Sequence, residues 1–260
     1  MNWILVELAF LLAAICVFVV ALEVGYRLGV RRQARTDEPD KTHANALHGA
    51  VLGLLALLLG FTFAMAVSRY ETRKTLMVDQ ANAIGTAALR GKLLPQPYAD
   101  RTVALFRDYV DSRMQYNAAG TDDSAIEAAE ARASHIEEEL WGMSRTLLSE
   151  DPRSQPASLY TQSLNEVFDI REKRRFALND RVPTAVIVML FVVSMSAMGL
   201  IAYSCGLSGG RRALANLTFA GLIALVLIII LDIDAPRVGF VAVSPESLLR
   251  LQQSLNPLPN

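Results

Sequence analysis

Cysteine is nearly missing from this chain. Cys16 and Cys205 are the only two among 260 residues, and both fall inside apolar runs. They set out neither a disulfide framework nor a thiolate metal site. Histidine is as sparse: His43, His48 and His135 stand far apart, with no ligand spacing. The formal net charge is −1, so the chain lacks the basic footprint that nucleic acid requires. No glycine-rich phosphate loop, nucleophile–base pair or metal signature occurs. These gaps point away from an enzyme, and no cofactor is expected. Alternating apolar and polar runs are also lacking, which argues against β-sheet.

What the chain has instead is long apolar windows. Trp3–Leu22 carries a single charge, Glu7, and Gly49–Val67, Val182–Cys205 and Ala213–Leu231 carry none. Each approaches the roughly 20 residues that cross a bilayer, and in hydrocarbon each must be a helix, because the backbone has to bond to itself. The first window has no positive n-region and no small-residue cleavage site, so it reads as an uncleaved span. The spans pair into two hairpins, residues 1–67 and 182–234. Between them lies a polar insert, 68–181, and after them a tail, 235–260.

The insert reads as all-α. Met77, Ala81, Ile84 and Ala88 recur at helical period, as do Val103, Phe106, Val110 and Met114. Pro95 and Pro97 stop the first of these helices. Thr121 or Asp122 is placed to cap the third. In the tail, Ser244 is the expected cap of a short terminal helix, and GFVAV reads as extended. The expected fold is therefore an all-α integral membrane protein of four transmembrane helices with a central helical, water-facing domain.

The second span carries two patterns. Gly49, Gly53, Ala56, Gly60 and Ala64 form a stripe of small residues, the kind that lets helices approach closely in lipid. Beside it, Gly53, Leu57, Phe61 and Met65 form an apolar line at i, i+4 spacing. Such a line suits bundle core, lipid contact or a hydrophobic pore wall that gates by dewetting. No proline interrupts the chain between this span and Arg69, Arg73 and Lys74, so the helix can run on into water. Those cations either anchor the helix at the interface or stand at the mouth of an ion path. Glu7 and Glu23 lie near the ends of the first span, and Arg27 is four residues beyond Glu23, at ion-pair spacing. Asp232 and Asp234 close the fourth span. They are the weak candidates for a cation, too few for calcium without further oxygens.

Cation counts on the two sides do not fix the orientation, because the insert exceeds the length over which flanking charge decides topology. At GFTFAMAVSRYETR, through Gly60, Phe61, Val67, Arg69 and Tyr70, the sequence resembles the second-span signature of the bestrophins. The order of hairpin, helical insert, hairpin and short tail matches as well. RYETRKTLMVDQANAIGTAALRGKLLP and LDIDAPRVGFVAVSPESL further resemble a bacterial family of membrane proteins described as bestrophin-like. The resemblance implies a homo-oligomeric, pentameric ion channel, mostly anion-conducting, in the bilayer of a bacterial inner membrane, with the insert and both termini in the cytoplasm. It also implies a neck lined by Gly53, Leu57 and Phe61. The chain departs from the family pattern in three places. Gly53 and Leu57 replace bulky neck residues, the acidic run that clasps calcium is reduced to Asp232 and Asp234, and Asp79-Gln80 stands where an acidic pair is usual.

Two functional readings follow. One is an oligomeric ion channel passing small ions, with Gly53, Leu57, Phe61 and Met65 as pore wall and Arg69, Arg73 and Lys74 at the inner mouth. The other is a non-conducting membrane scaffold or sensor whose helical insert binds a soluble partner.

Overall fold

A computed structural model describes residues 3–256, with side chains from Leu8 onward. Its elements in chain order are α1 (Trp3–Arg32), a 3₁₀ turn (Gln33–Arg35), α2 (Glu38–Gly91), α3 (Tyr98–Ala118), α4 (Asp123–Glu150), α5 (Gln155–Asn179), α6 (Thr184–Leu207), α7 (Ala213–Asp234) and α8 (Glu246–Leu255). No strand forms among the described residues, and the fold is all-α. Four helices are long and apolar enough to cross a membrane. The chain divides into two compact units. The first comprises Met1–Ser68 and Arg181–Ala235, the second Arg69–Asp180 and Pro236–Asn260.

In the first unit, α1 lies against α6, and small residues allow the approach. A Cβ on Gly25 would stand 2.1 Å from the Gly199 carbonyl oxygen, and one on Gly29 2.3 Å from that of Tyr203. One on Gly206 would meet the Tyr26 oxygen at 2.5 Å. Phe18 fills the seam beyond the glycines, 6.2 Å from Phe191 between ring centres. In lipid no hydrophobic drive separates helix from hydrocarbon, so van der Waals fit of this kind is what holds spans together. The outward faces keep Leu12, Val20, Leu28, Val192 and Leu222 exposed, as a lipid-facing surface requires.

The second unit is a water-type bundle. Ile84, Phe106, Tyr109, Leu140, Tyr160 and Leu164 are almost wholly buried in one core. The α2 stripe predicted from Met77, Ala81, Ile84 and Ala88 is its buried face. On α3, Phe106 and Val110 are buried while Val103 and Met114 are only half-buried; the face turns toward Thr102, Tyr109 and Arg113. Asp122 caps α4 by accepting the Ala125 N–H at 3.2 Å, and Ser154 caps α5 through the Ala157 N–H. Ser244 does not cap α8. That helix starts at Glu246 with Pro245 in the cap position and no side-chain bond, and GFVAV is turn and irregular chain rather than strand. The helix is held instead by Arg107 Nε donating to the Leu255 carbonyl at 2.6 Å and Gln252 Nε2 donating to Asp111 at 2.6 Å.

A polar network runs through this core. Arg171 donates to both Glu137 and Glu130, Arg113 donates to Glu130 at 3.0 Å, and the Tyr109 hydroxyl donates to Glu137 at 2.6 Å. Burial pushes the Glu130 carboxyl up, but Arg113 and Arg171 outweigh it and hold it below the ordinary value of 4.5. At Glu137 burial prevails over Tyr109 and Arg171, and its carboxyl lies above 4.5. The two carboxylates therefore act in opposite directions. Glu130 contributes stability that is present above its unfolded pKa, ~4.3, and is lost as pH falls through its depressed folded value. Glu137 favours the protonated form, so its contribution is lost as pH rises through its elevated folded value.

Two outcomes are expected. Glu130→Gln should lower the Tm of detergent-solubilised protein at neutral pH by more than Glu137→Gln, and the difference between the two should shrink as pH falls below ~4.3. Gly206→Val should force its new side chain into the α1 backbone and cost about 1–3 kcal/mol, the usual range for overpacking, read as a fall in Tm.

Candidate functional site

The line Gly53, Leu57, Phe61, Met65 lies on α2 within the first unit, and all of it is exposed. Phe61 is 65% exposed and Leu57 55%. The buried face of the same stretch is Leu55, Leu59, Thr62 and Ala66. At about 100° per residue, the mean directions of the two sets differ by roughly 150°. The apolar line thus points away from the core of its own chain. A large aromatic held there is uncovered unless lipid or a second chain meets it.

The small-residue stripe of α2 has no partner helix within the chain among the described residues. Gly49, Ala56, Gly60 and Ala64 are exposed, and a Cβ on Gly49, Gly53 or Gly60 would meet nothing within 4 Å. Within the chain, close helix approach is carried by Gly25, Gly29, Gly199 and Gly206 on α1 and α6. Spacing had marked a stripe able to pack. It could not say whether the partner helix is in the same chain.

The three cations beyond the span have different settings. Arg69 forks onto Asp180, Nε to Oδ2 at 3.1 Å and Nη2 to Oδ1 at 3.4 Å, joining the two ends of the insert. Arg73 is 3% exposed and so is turned into the second unit rather than out to solvent. Lys74 alone of the three remains exposed, on the rim of a groove between α2 and α8 that Tyr70, Val78 and Arg250 also line. Exposed positive charge past the span is thus carried by Lys74 and the half-covered Arg69.

Asp232 and Asp234 are 4% and 7% exposed. Asp234 accepts the Val182 N–H at 3.1 Å on both oxygens, fastening the approach to α6 onto the end of α7. No group of three or more His, Cys, Asp or Glu able to hold a metal occurs among the described residues. Glu23 pairs with Arg27 at 2.7 Å, as its spacing suggested, and also with Arg211 at 3.3 Å. The Glu7 side chain lies outside the described residues.

One cluster was not singled out from sequence. In the second unit Arg174, 4% exposed, donates to Gln80 at 2.5 Å and also to Asn117. Arg237 donates to the Tyr116 hydroxyl and lies over its ring at 4.5 Å. The arginines come from α5 and the tail, and their partners from α2 and α3. No local spacing joins them.

A family model described as a bestrophin-like domain matches residues 8–248. Among solved structures, the fold is similar to a bacterial bestrophin homologue from Klebsiella pneumoniae, determined with single substitutions. One such structure has a TM-score of 0.69 at 15% identity, covering 96% of this chain and 97% of that one. Another has a TM-score of 0.64 at 13% identity, covering 92% and 97%. A structure described as a membrane protein is similar at TM-score 0.68 and 14% identity, covering 96% and 97%. No curated protein matches the chain.

Asp234→Ala should leave the buried Val182 N–H without its acceptor, a loss of about 1–3 kcal/mol visible as a lower Tm. Asp234→Asn keeps an acceptor oxygen and should cost less.

Proposed function

This chain belongs to the bestrophin-like family, and from that premise we propose that it is an oligomeric ion channel of the bacterial inner membrane. The apolar line of α2, Gly53, Leu57, Phe61 and Met65, forms the narrow wall of its pathway. The observation that carries the reading is the direction of that line: Phe61 is 65% exposed on the face opposite its own chain's core. Closed symmetry places equivalent faces around one axis, so copies of Phe61 would form an apolar ring. Such a ring gates by excluding water until it widens. Gly53, with nothing within 4 Å of where a Cβ would stand, keeps the wall wide at its other end. Lys74 supplies exposed positive charge just past the span, which favours anions. The stripe Gly49, Ala56, Gly60 and Ala64, bare within the chain, then packs between subunits. By the same reading the insert and both termini are cytoplasmic.

The test is an assembled complex reconstituted in liposomes. Its detergent-corrected mass should correspond to a ring of about five subunits, and chloride flux should exceed that of empty vesicles. Phe61→Ala should raise flux or abolish its gating, while leaving assembly intact. Protein of confirmed ring assembly that passes no ion at any voltage rejects the channel. Attention would then turn to the insert as a scaffold for a soluble partner.

A further inference from the structure

The second unit holds a partly open cavity of about 250 Å³ lined by Arg73, Arg174, Arg237, Met114, Asn117 and Leu178, among others. No carboxylate of that unit lines it among the described residues. This matters because the neighbouring arginines are handled differently. Arg113 and Arg171 are matched by Glu130 and Glu137. Arg174 is as deeply buried, yet its hydrogen-bond acceptors are the neutral amides of Gln80 and Asn117. Arg237 has a phenol and a ring face as its partners. Its Nε is buried without a hydrogen bond, as is Nε2 of Gln80. Burial, followed by the nearby charges of Arg113 and Arg237, pushes Arg174 down to about 10. It therefore stays charged at neutral pH, as a buried cation with no counter-ion among the described residues.

A buried charge without compensation is strongly destabilising. An anion in the cavity would supply the compensation that the described lining residues do not. The geometry points to a small-oxyanion site in this cavity, with the guanidinium groups of Arg174 and Arg237 as its recognising forks. A guanidinium presents parallel N–H groups that match the paired oxygens of a phosphate or carboxylate, and a halide has no such pair. The volume holds a phosphate with a few waters, each water taking roughly 30 Å³. The site lies wholly within the second unit. It stands apart from the apolar line of α2, and it is independent of whether the protein conducts.

The test is direct binding to the full-length protein in detergent, by calorimetry and by Tm, with inorganic phosphate, acetate and chloride at matched ionic strength. Saturable binding of phosphate or acetate that exceeds any response to chloride is expected, and which of the two binds separates a phosphate from a carboxylate ligand. Arg174→Gln and Arg237→Gln should each weaken that binding by about tenfold or more. Arg153→Gln, an exposed arginine away from the cavity, should leave it unchanged. Arg237 is only half-buried, so its substitution carries the test if Arg174→Gln does not fold. Binding of neither oxyanion, binding that survives the substitutions, or an equal response to chloride overturns the site. Because binding is read without flux, a channel that fails to conduct and a cavity that fails to bind are told apart.

Discussion

In hydrocarbon every peptide N–H and C=O must find its partner inside the chain, and α2 meets that demand without a break from Glu38 to Gly91. The same ladder serves an apolar stretch and a strongly polar one. Continuity is permitted because no proline falls between Pro39 and Pro95. Its consequence is a fixed angular register. Within the first unit the residues buried along it, Leu55, Leu59, Thr62 and Ala66, stay within one sector of the helix at about 100° per residue. In the second unit the buried residues of the same helix include Arg73 and Gln80 beside Met77, Ile84 and Ala88. The opposite sector near Phe61 is fixed by the same register. Exposure there is set by the helix as a whole rather than by a local loop.

Much of this was legible beforehand. Charge-free windows of near 20 residues identify spans by themselves, and the 3.6-residue period of Met77, Ala81, Ile84 and Ala88 identifies a core face. The cap of α4 was readable as Thr121 or Asp122, and the structure selects Asp122, whose side chain accepts from an amide three residues away. Ser244 failed as a cap for an equally local reason: Pro245 occupies the cap position and the helix begins one residue later. The glycine contacts show where pattern stops. Gly25 and Gly29 have the same spacing as Gly49 and Gly53. One pair meets the backbone of α6 and the other meets nothing within 4 Å. A small residue states that a backbone can come close, and only the tertiary structure states whose.

The polar interior was the least legible part. Arg174 is 94 residues from Gln80 and 57 from Asn117, and Arg237 is 121 from Tyr116. Each of these residues, read alone, looks like an ordinary solvated polar side chain. Arg73 shows the same limit, since it follows an apolar span as an interface anchor does, yet the register of α2 turns it inward.

The second unit thus treats buried arginine in two ways, and the difference is physical rather than incidental. Around Glu130 the attraction of Arg113 and Arg171 outweighs the cost of leaving water, while at Glu137 that cost prevails over its ion pair with Arg171. Around Arg174 the acceptors are amide dipoles, which satisfy N–H groups but return little of the lost hydration of a full charge. A methionine of similar volume would pack in that position without any such cost. Its absence of charge, though, would leave the Gln80 and Asn117 oxygens unpaired in the core, each costing about 1–3 kcal/mol. The arginine is held in place by the amides it serves, and its charge is carried along with its hydrogen bonds. The result is a core around Arg174 that remains electrostatically positive and keeps buried donors, Gln80 Nε2 and Arg237 Nε among them, without a hydrogen bond.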